Sequence, residues 1–190
     1  MEWIGGAKHT GLALACKKNR YPVVQWLLTQ KEVDVNNGSP NRTPLYWCCH
    51  SNNTKLVQLL LKQPTIDVNK GKYPPLTVCC FKNHVDVIKL LLAHPKIDPN
   101  KGEYASPLYV ATKRNALEAI KLLVAHPKID LNKGSSKETP LELAKRCGKM
   151  EIVKILENPH KNNSDNVTTA SLSSSKNDTT TTLSKDTTTS

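Results

Sequence analysis

Apolar residues recur with helical spacing in five separate stretches of the chain. Within each stretch the apolar positions lie three and four residues apart, which predicts an amphipathic helix. The five stretches read YPVVQWLLTQ, TKLVQLLLKQ, VDVIKLLLAH, LEAIKLLVAH and MEIVKILENP. A short apolar block stands before each of them, and these blocks read TGLALACKKN, TPLYWCCHSN, PPLTVCCFKN, SPLYVATKRN and TPLELAKRCG. The pattern therefore predicts five copies of a two-helix unit.

The units recur at a nearly constant period. They begin near residues 10, 43, 74, 106 and 139, so successive starts are separated by 33, 31, 32 and 33 residues. Such a period is typical of solenoids, in which each unit buries its apolar face against its neighbours. The phrase AHPKID-x-NKG, which stands at 93–102 and again at 125–134, is then a part of the architecture.

Residue types at both ends of the first helix predict its bounds. Thr or Ser followed by Pro, as in Thr43-Pro44, favours an N-cap followed by the first helical position. The tenth slot of every unit holds a residue type that enters the left-handed conformation readily. These tenth residues are Asn19, Asn52, Asn83, Asn115 and Gly148. We expect the first helix of each unit to end there.

The unit openings resemble the Thr-Pro-Leu-His-x-Ala opening of the ankyrin repeat. They read Thr43-Pro44-Leu45, Pro74-Pro75-Leu76, Ser106-Pro107-Leu108 and Thr139-Pro140-Leu141. The chain resembles the ankyrin repeat family over about residues 8–160. The resemblance implies an all-α fold, an ankyrin-repeat solenoid of stacked helix-turn-helix units with short finger loops. It also implies that partners bind to the finger loops and to the concave face of the first helices.

Three segments are predicted. Residues 1–9 form an N-terminal lead-in, in which Trp3 and Ile4 are expected to cover the first unit. Residues 10–160 form the repeat domain, and its fifth unit places Lys145 and Glu157 in slots that are small or apolar in most other units, as a polar end cap requires. Residues 161–190 form a tail rich in Ser and Thr, which we expect to be disordered.

The net charge is the feature of the composition that says most about the partner. Lysine and arginine exceed aspartate and glutamate by 27 to 16, which gives a net charge of +11 and favours an acidic partner. No stretch reaches the roughly 20 consecutive apolar residues of a membrane span, and the N-terminus does not resemble an export signal. We therefore expect a cytoplasmic protein, with the nucleus as an alternative, that is a monomer with reduced thiols.

The cysteine pairs Cys48-Cys49 and Cys79-Cys80 invite a zinc site or a disulfide. They occupy slots that hold small residues in other units, however, and neighbouring helix side chains point too far apart for one tetrahedral centre. We interpret them as small buried apolar residues. His94 and His126 are expected to contact the last carbonyls of their helices. No arrangement of catalytic residues emerges, so we predict a protein that is not an enzyme and has no metal or cofactor.

The functional prediction rests on the variable eighth and ninth slots of each unit, which lie at the ends of the first helices. They form a basic stripe with one aromatic residue, and further basic and aromatic residues stand on the fingers beside it. The predicted partner-binding residues are Lys17, Lys18, Arg42, His50, Lys72, Tyr73, Phe81, Lys82, Tyr104, Lys113, Arg114 and Arg146. Exposed aromatic residues of this kind anchor interfaces, and the surrounding charge accelerates association.

The leading hypothesis is a protein-interaction scaffold or adaptor that binds an acidic or amphipathic segment of another protein. One alternative is that the same stripe binds nucleic acid or an anionic membrane, although acidic residues interrupt the stripe and no nucleic-acid motif is present. A second alternative is a targeting fragment of a larger multidomain protein.

Overall fold

A computed structural model of the chain describes residues 10–39 and 42–159. This part contains ten helices and no strand longer than an isolated bridge. The helices are α1 (Gly11–Lys17), α2 (Tyr21–Leu27), α3 (Pro44–His50), α4 (Thr54–Leu61), α5 (Pro75–Lys82), α6 (Val85–Leu92), α7 (Pro107–Arg114), α8 (Leu117–Val124), α9 (Pro140–Arg146) and α10 (Met150–Glu157). The prediction of five helix pairs is confirmed. The predicted lead-in and tail lie outside the described residues.

The first helix of each unit begins where the sequence predicts. Thr43 is the N-cap of α3, and its hydroxyl accepts a hydrogen bond from the Tyr46 backbone N–H at 3.2 Å. Thr10, Ser106 and Thr139 cap their helices in the same way. Such a cap satisfies a backbone donor that has no partner within the helix.

The first helices end at the predicted tenth slot. The four asparagines in this slot have φ angles of 53° to 58°, and Gly148 has a φ angle of 65°. Asparagine and glycine tolerate this left-handed backbone at low cost, so the chain can reverse sharply into the second helix.

The helices form two layers. First helices pack on first helices in the order α1, α3, α5, α7 and α9, and second helices pack on second helices in the order α2, α4, α6, α8 and α10. The core lies between the layers and includes Leu45, Leu60 and Leu91, which are fully buried. Burying each such side chain contributes on the order of 1.5–3 kcal/mol. None of the described helices is long and apolar enough to cross a bilayer.

The repeated Asp-x-Asn phrase joins neighbouring loops. The Asp67 carboxylate accepts the backbone N–H of Asn69 at 2.9 Å, which fixes the turn. The Asn69 side chain then donates to the Lys96 carbonyl at 2.7 Å and accepts the Asp98 N–H at 2.9 Å, so it binds the next loop with both ends. Asn36 and Asn100 bind their following loops in the same way. The phrase recurs because the asparagine of each loop forms its hydrogen bonds with the backbone of the next loop.

The contact expected for the histidines at the ends of the second helices is not the one observed. Nδ1 of His94 accepts the backbone N–H of Lys96 at 3.3 Å, and His126 accepts that of Lys128 at 3.2 Å. Gln30 and Gln63 hold the same slot and do donate to helix carbonyls. The two side chains differ in hydrogen-bonding capacity. Nδ1 of the histidine ring accepts a hydrogen bond from the turn, whereas the side-chain amide nitrogen of glutamine is a donor and binds a carbonyl oxygen.

The two ends of the described array differ in the polarity of their exposed side chains. In the fifth unit Lys145 and Glu157 form an ion pair at 2.8 Å on the outer surface, which agrees with the predicted polar cap. At the first unit Leu14 and Val23 are 45% and 47% exposed, although their counterparts in later units are largely buried. The residues predicted to cover this end, Trp3 and Ile4, lie outside the described part of the chain.

Candidate functional site

A groove of about 470 Å³ lies across the middle of the first-helix layer. It is lined by Arg42, Tyr46, His50, Tyr73, Thr77, Val78, Phe81, Lys82 and Val110. Five of these residues belong to the predicted partner-binding set, namely Arg42, His50, Tyr73, Phe81 and Lys82. The groove therefore brings together residues from α3, α5, α7 and the two fingers that precede α3 and α5.

Helix geometry explains why these side chains converge. On α5, Val78, Phe81 and Lys82 are spaced by three and four residues and so share one face of the helix. Tyr73 stands on the finger just before α5 and is 45% exposed, while Phe81 is 47% exposed. Val110 enters from the neighbouring helix α7.

The α3 wall of the groove is aromatic. The rings of Tyr46 and His50, four residues apart, lie nearly parallel with centroids 6.0 Å apart. Trp47 meets both rings at steeper angles, at 5.2 Å from Tyr46 and 5.9 Å from His50. Tyr46 is almost fully buried, so this wall is held in a fixed position. Sequence reasoning missed Tyr46, because a residue at the third helical position looks like an ordinary core residue.

Basic side chains lie over aromatic rings along this surface. Arg42 stands 5.3 Å from the centre of the Trp47 ring, and Lys17 stands 4.7 Å from the centre of the same ring. Further along, Arg114 lies 4.2 Å from the centre of the Phe81 ring. Lys72 lies 4.8 Å from the Tyr104 ring on the fingers. A ring attracts a cation electrostatically but does not neutralise it, so these charges stay available to an anion.

His50 is the one histidine in the described lining of the groove. Burial lowers its pKa, and the nearby basic groups Lys82, His84 and Arg42 lower it further. The neutral form of the ring is therefore favoured. Among the described residues that line the groove there is no carboxylate that would counter this effect.

Arg146 is engaged within the chain. Its guanidinium donates to both carboxylate oxygens of Glu138, at 2.7 Å and 3.0 Å, and the Tyr109 hydroxyl donates to the same carboxylate. The pKa of Glu138 is lowered, first by the hydrogen bond from Arg146 and then by that from Tyr109. Sequence reasoning placed Arg146 in the basic stripe without seeing that the finger before α9 supplies its partner.

The remaining predicted residues lie outside the groove. Lys18 and Lys113 are exposed at the ends of α1 and α7. Lys17, Lys72, Tyr104 and Arg114 flank the groove through the ring contacts described above. The predicted set thus divides into five groove residues, four flanking residues and three that lie further away, namely Lys18, Lys113 and Arg146.

The cysteines behave as small core residues. Five of the six are buried, and all six are free thiols. The pKa of Cys48 is raised, chiefly by a contact with the Cys16 thiol and then by burial, while burial is the first cause for Cys49 and Cys80. Within residues 10–39 and 42–159 no group of three or more potential metal ligands is found.

Comparison with known families agrees with the repeat pattern. A family model described as ankyrin repeats (3 copies) matches residues 12–103 and matches again over residues 96–169. Together the two matches cover most of the chain. No curated protein matches it.

Proposed function

The chain belongs to the ankyrin repeat family, whose repeats are protein-protein interaction modules, and we propose that this array is a non-catalytic scaffold or adaptor. It binds an acidic or amphipathic segment of a partner protein in the groove between α3, α5 and α7. The flanking residues on the fingers extend the same interface. The array acts as a monomer in the cytoplasm or nucleus.

The groove lining is the observation that supports this proposal. It combines exposed aromatic side chains with cations that have no carboxylate partner among the described residues. Aromatic residues supply most of the affinity of a typical interface, because they bury a large apolar area at a low cost in side-chain entropy. The cations attract an acidic partner and orient it during encounter.

An affinity capture experiment with the full chain tests the proposal. The wild-type protein is compared with the Tyr73→Ala/Phe81→Ala double variant, and captured proteins are identified by mass spectrometry. We expect the specific partner to be lost, because both exposed groove anchors are removed. The matched control is Trp26→Ala/Met150→Ala, which removes two side chains that are 61% and 62% exposed outside the groove lining. Capture that survives in the groove variant, or fails equally in the control, contradicts the proposal.

The nucleic-acid and membrane alternative receives less support from the arrangement of charge. Arg146 is bound to Glu138, and four of the other predicted cations, Lys17, Arg42, Lys72 and Arg114, lie over aromatic rings. Binding to a polyanion through these residues predicts a linear fall of log affinity with log salt concentration. A retardation assay with random duplex DNA at two salt concentrations checks this, and we expect no specific complex. The targeting-fragment alternative makes the same prediction for the groove as the leading proposal.

A further inference from the structure

The groove is chemically divided. Its apolar part consists of Val78, Val110 and the rings of Tyr73 and Phe81. Its polar part consists of Arg42, His50 and Lys82, which lie on three different segments of the chain. An anion that enters the polar part therefore meets a neighbouring apolar surface within the same cavity.

The polar part is short of negative charge. The three ion pairs in the described part of the chain join Lys121 to Glu118, Lys145 to Glu157 and Arg146 to Glu138, and none involves a groove residue. The two cations of the groove and the imidazole of His50 thus converge without an internal counter-ion. A carboxylate of a bound partner would supply this counter-ion.

We infer that the groove binds a partner segment in which an aspartate or glutamate stands next to an aromatic or branched aliphatic side chain, and that His50 takes up a proton when this carboxylate binds. The inference rests on the proposed function and specifies the chemistry of the partner. The carboxylate occupies the polar part, and the adjacent apolar side chain fills the apolar part.

The groups around His50 determine the direction of the effect. Arg42 approaches from the finger before α3, Lys82 lies on α5 and His84 follows α5. Lys17 reaches the neighbouring Trp47 ring from α1, and Tyr46 stacks on His50 within α3. Burial first, and then Lys82, His84 and Arg42, hold the pKa of His50 below its ordinary value, and no acidic group is among the causes of this shift. A bound carboxylate opposes them, so the pKa of His50 rises in the complex.

Proton uptake makes affinity depend on pH. Binding tightens as the pH falls through the raised pKa of the complex, and the gain is complete below the lower pKa of the free protein. A glutamate on the ligand has an ordinary pKa of about 4.3 and stays ionised down to about pH 5.5. If binding raises the pKa of His50 by about half to one pH unit, the affinity at pH 5.5 exceeds that at pH 7.5 by up to roughly threefold to tenfold.

The test uses blocked synthetic tetrapeptides and NMR titration of the full chain. The probe is Glu-Leu-Phe-Glu, and its matched controls are Gln-Leu-Phe-Gln, which lacks the carboxylates, and Glu-Ala-Ala-Glu, which lacks the apolar side chains. We expect the probe to raise the pKa of His50 while the pKa values of His94 and His126, which lie outside the groove lining, stay unchanged. Each control peptide should bind at least about fivefold more weakly than the probe.

The His50→Gln variant separates proton uptake from simple binding. We expect the affinity of this variant for the probe to be about the same at pH 5.5 and pH 7.5, because glutamine has no titratable group. The inference is overturned if the glutamine peptide binds as well as the probe, or if the tightening at low pH persists in His50→Gln. Capture of a partner that depends on Tyr73 and Phe81, combined with a failed peptide test, would leave the proposed function standing and reject only this inference.

Discussion

Basic side chains on the first helices and fingers have different partners in the first three units and in the fifth. In the first three, Lys17, Arg42 and Lys72 lie over aromatic rings and have no carboxylate partner among the described residues. In the fifth, Arg146 and Lys145 are each bound to a glutamate of the chain itself. Lysines and arginines can therefore give one surface that attracts acidic partners and another whose charge is already neutralised.

One slot accounts for much of this difference. The residue just before the opening of the unit is Arg42 in the second unit, Tyr73 in the third and Glu138 in the fifth. The first two line the groove, whereas Glu138 faces Arg146 and Tyr109. The array keeps a common backbone pattern and changes its surface by changing the residues at this slot.

The loop bonds give the largest expected effect on stability. Asn69→Ala removes two hydrogen bonds to the next loop, which costs about 1–3 kcal/mol of unfolding free energy. Asn132 holds the same position in the last such loop, and its side chain has no hydrogen-bond partner among the described residues. Asn132→Ala should therefore change stability by less than about 0.5 kcal/mol. Urea unfolding measures both, and equal losses would show that the cross-loop bonds do not stabilise the array.

A smaller effect is expected from Glu138→Gln, which makes the fifth unit resemble the groove by releasing Arg146. Since the pKa of Glu138 is lowered in the folded chain, its ionised form stabilises the fold at pH values above the unfolded pKa. That contribution is lost as the pH falls through the lowered pKa. Thermal unfolding should thus give a higher midpoint for the wild type at pH 7, and the two midpoints should converge in acid. A difference that is independent of pH would exclude a role for the ionised pair.

The smallest effect concerns the pKa of His50 in the free protein. Lys82→Gln removes the strongest of the neighbouring charges that depress this pKa, so the value should rise toward the ordinary value of about 6.5. Arg146→Gln is the control, because Arg146 is neutralised by Glu138 and is not among the groups that shift His50. NMR titration of the imidazole resonances measures both variants. A pKa of His50 that is unchanged in Lys82→Gln would mean that the groove cations do not act on it.

Most of the fold could be predicted from the sequence because its determinants are local. A capping hydroxyl, a proline at the first helical position and an asparagine at the tenth slot each act within a few residues. Thr43, Pro44 and Asn52 therefore mark the bounds of the first helix in the second unit without any knowledge of its neighbours.

The candidate site could be predicted only in part, because its contacts cross between units. Five groove residues follow from the variable slots and from the finger positions beside them. Tyr46 and Val110 do not, since they belong to the groove only once α3, α5 and α7 are packed together. The pairing of Arg146 with Glu138 depends on how a finger folds back over its own helix. The period of the repeat does not specify that contact.

Partner affinity in two matched charge variants tests the central claim most directly. Lys82→Gln removes a cation of the groove, and Arg146→Gln removes one that the chain already neutralises. For the protein captured by the wild type, we predict that Lys82→Gln weakens binding by about five- to tenfold and that Arg146→Gln weakens it by less than about twofold, both measured by calorimetry at the same salt concentration. Equal losses in the two variants, or a larger loss in Arg146→Gln, would contradict the assignment of the groove as the binding site.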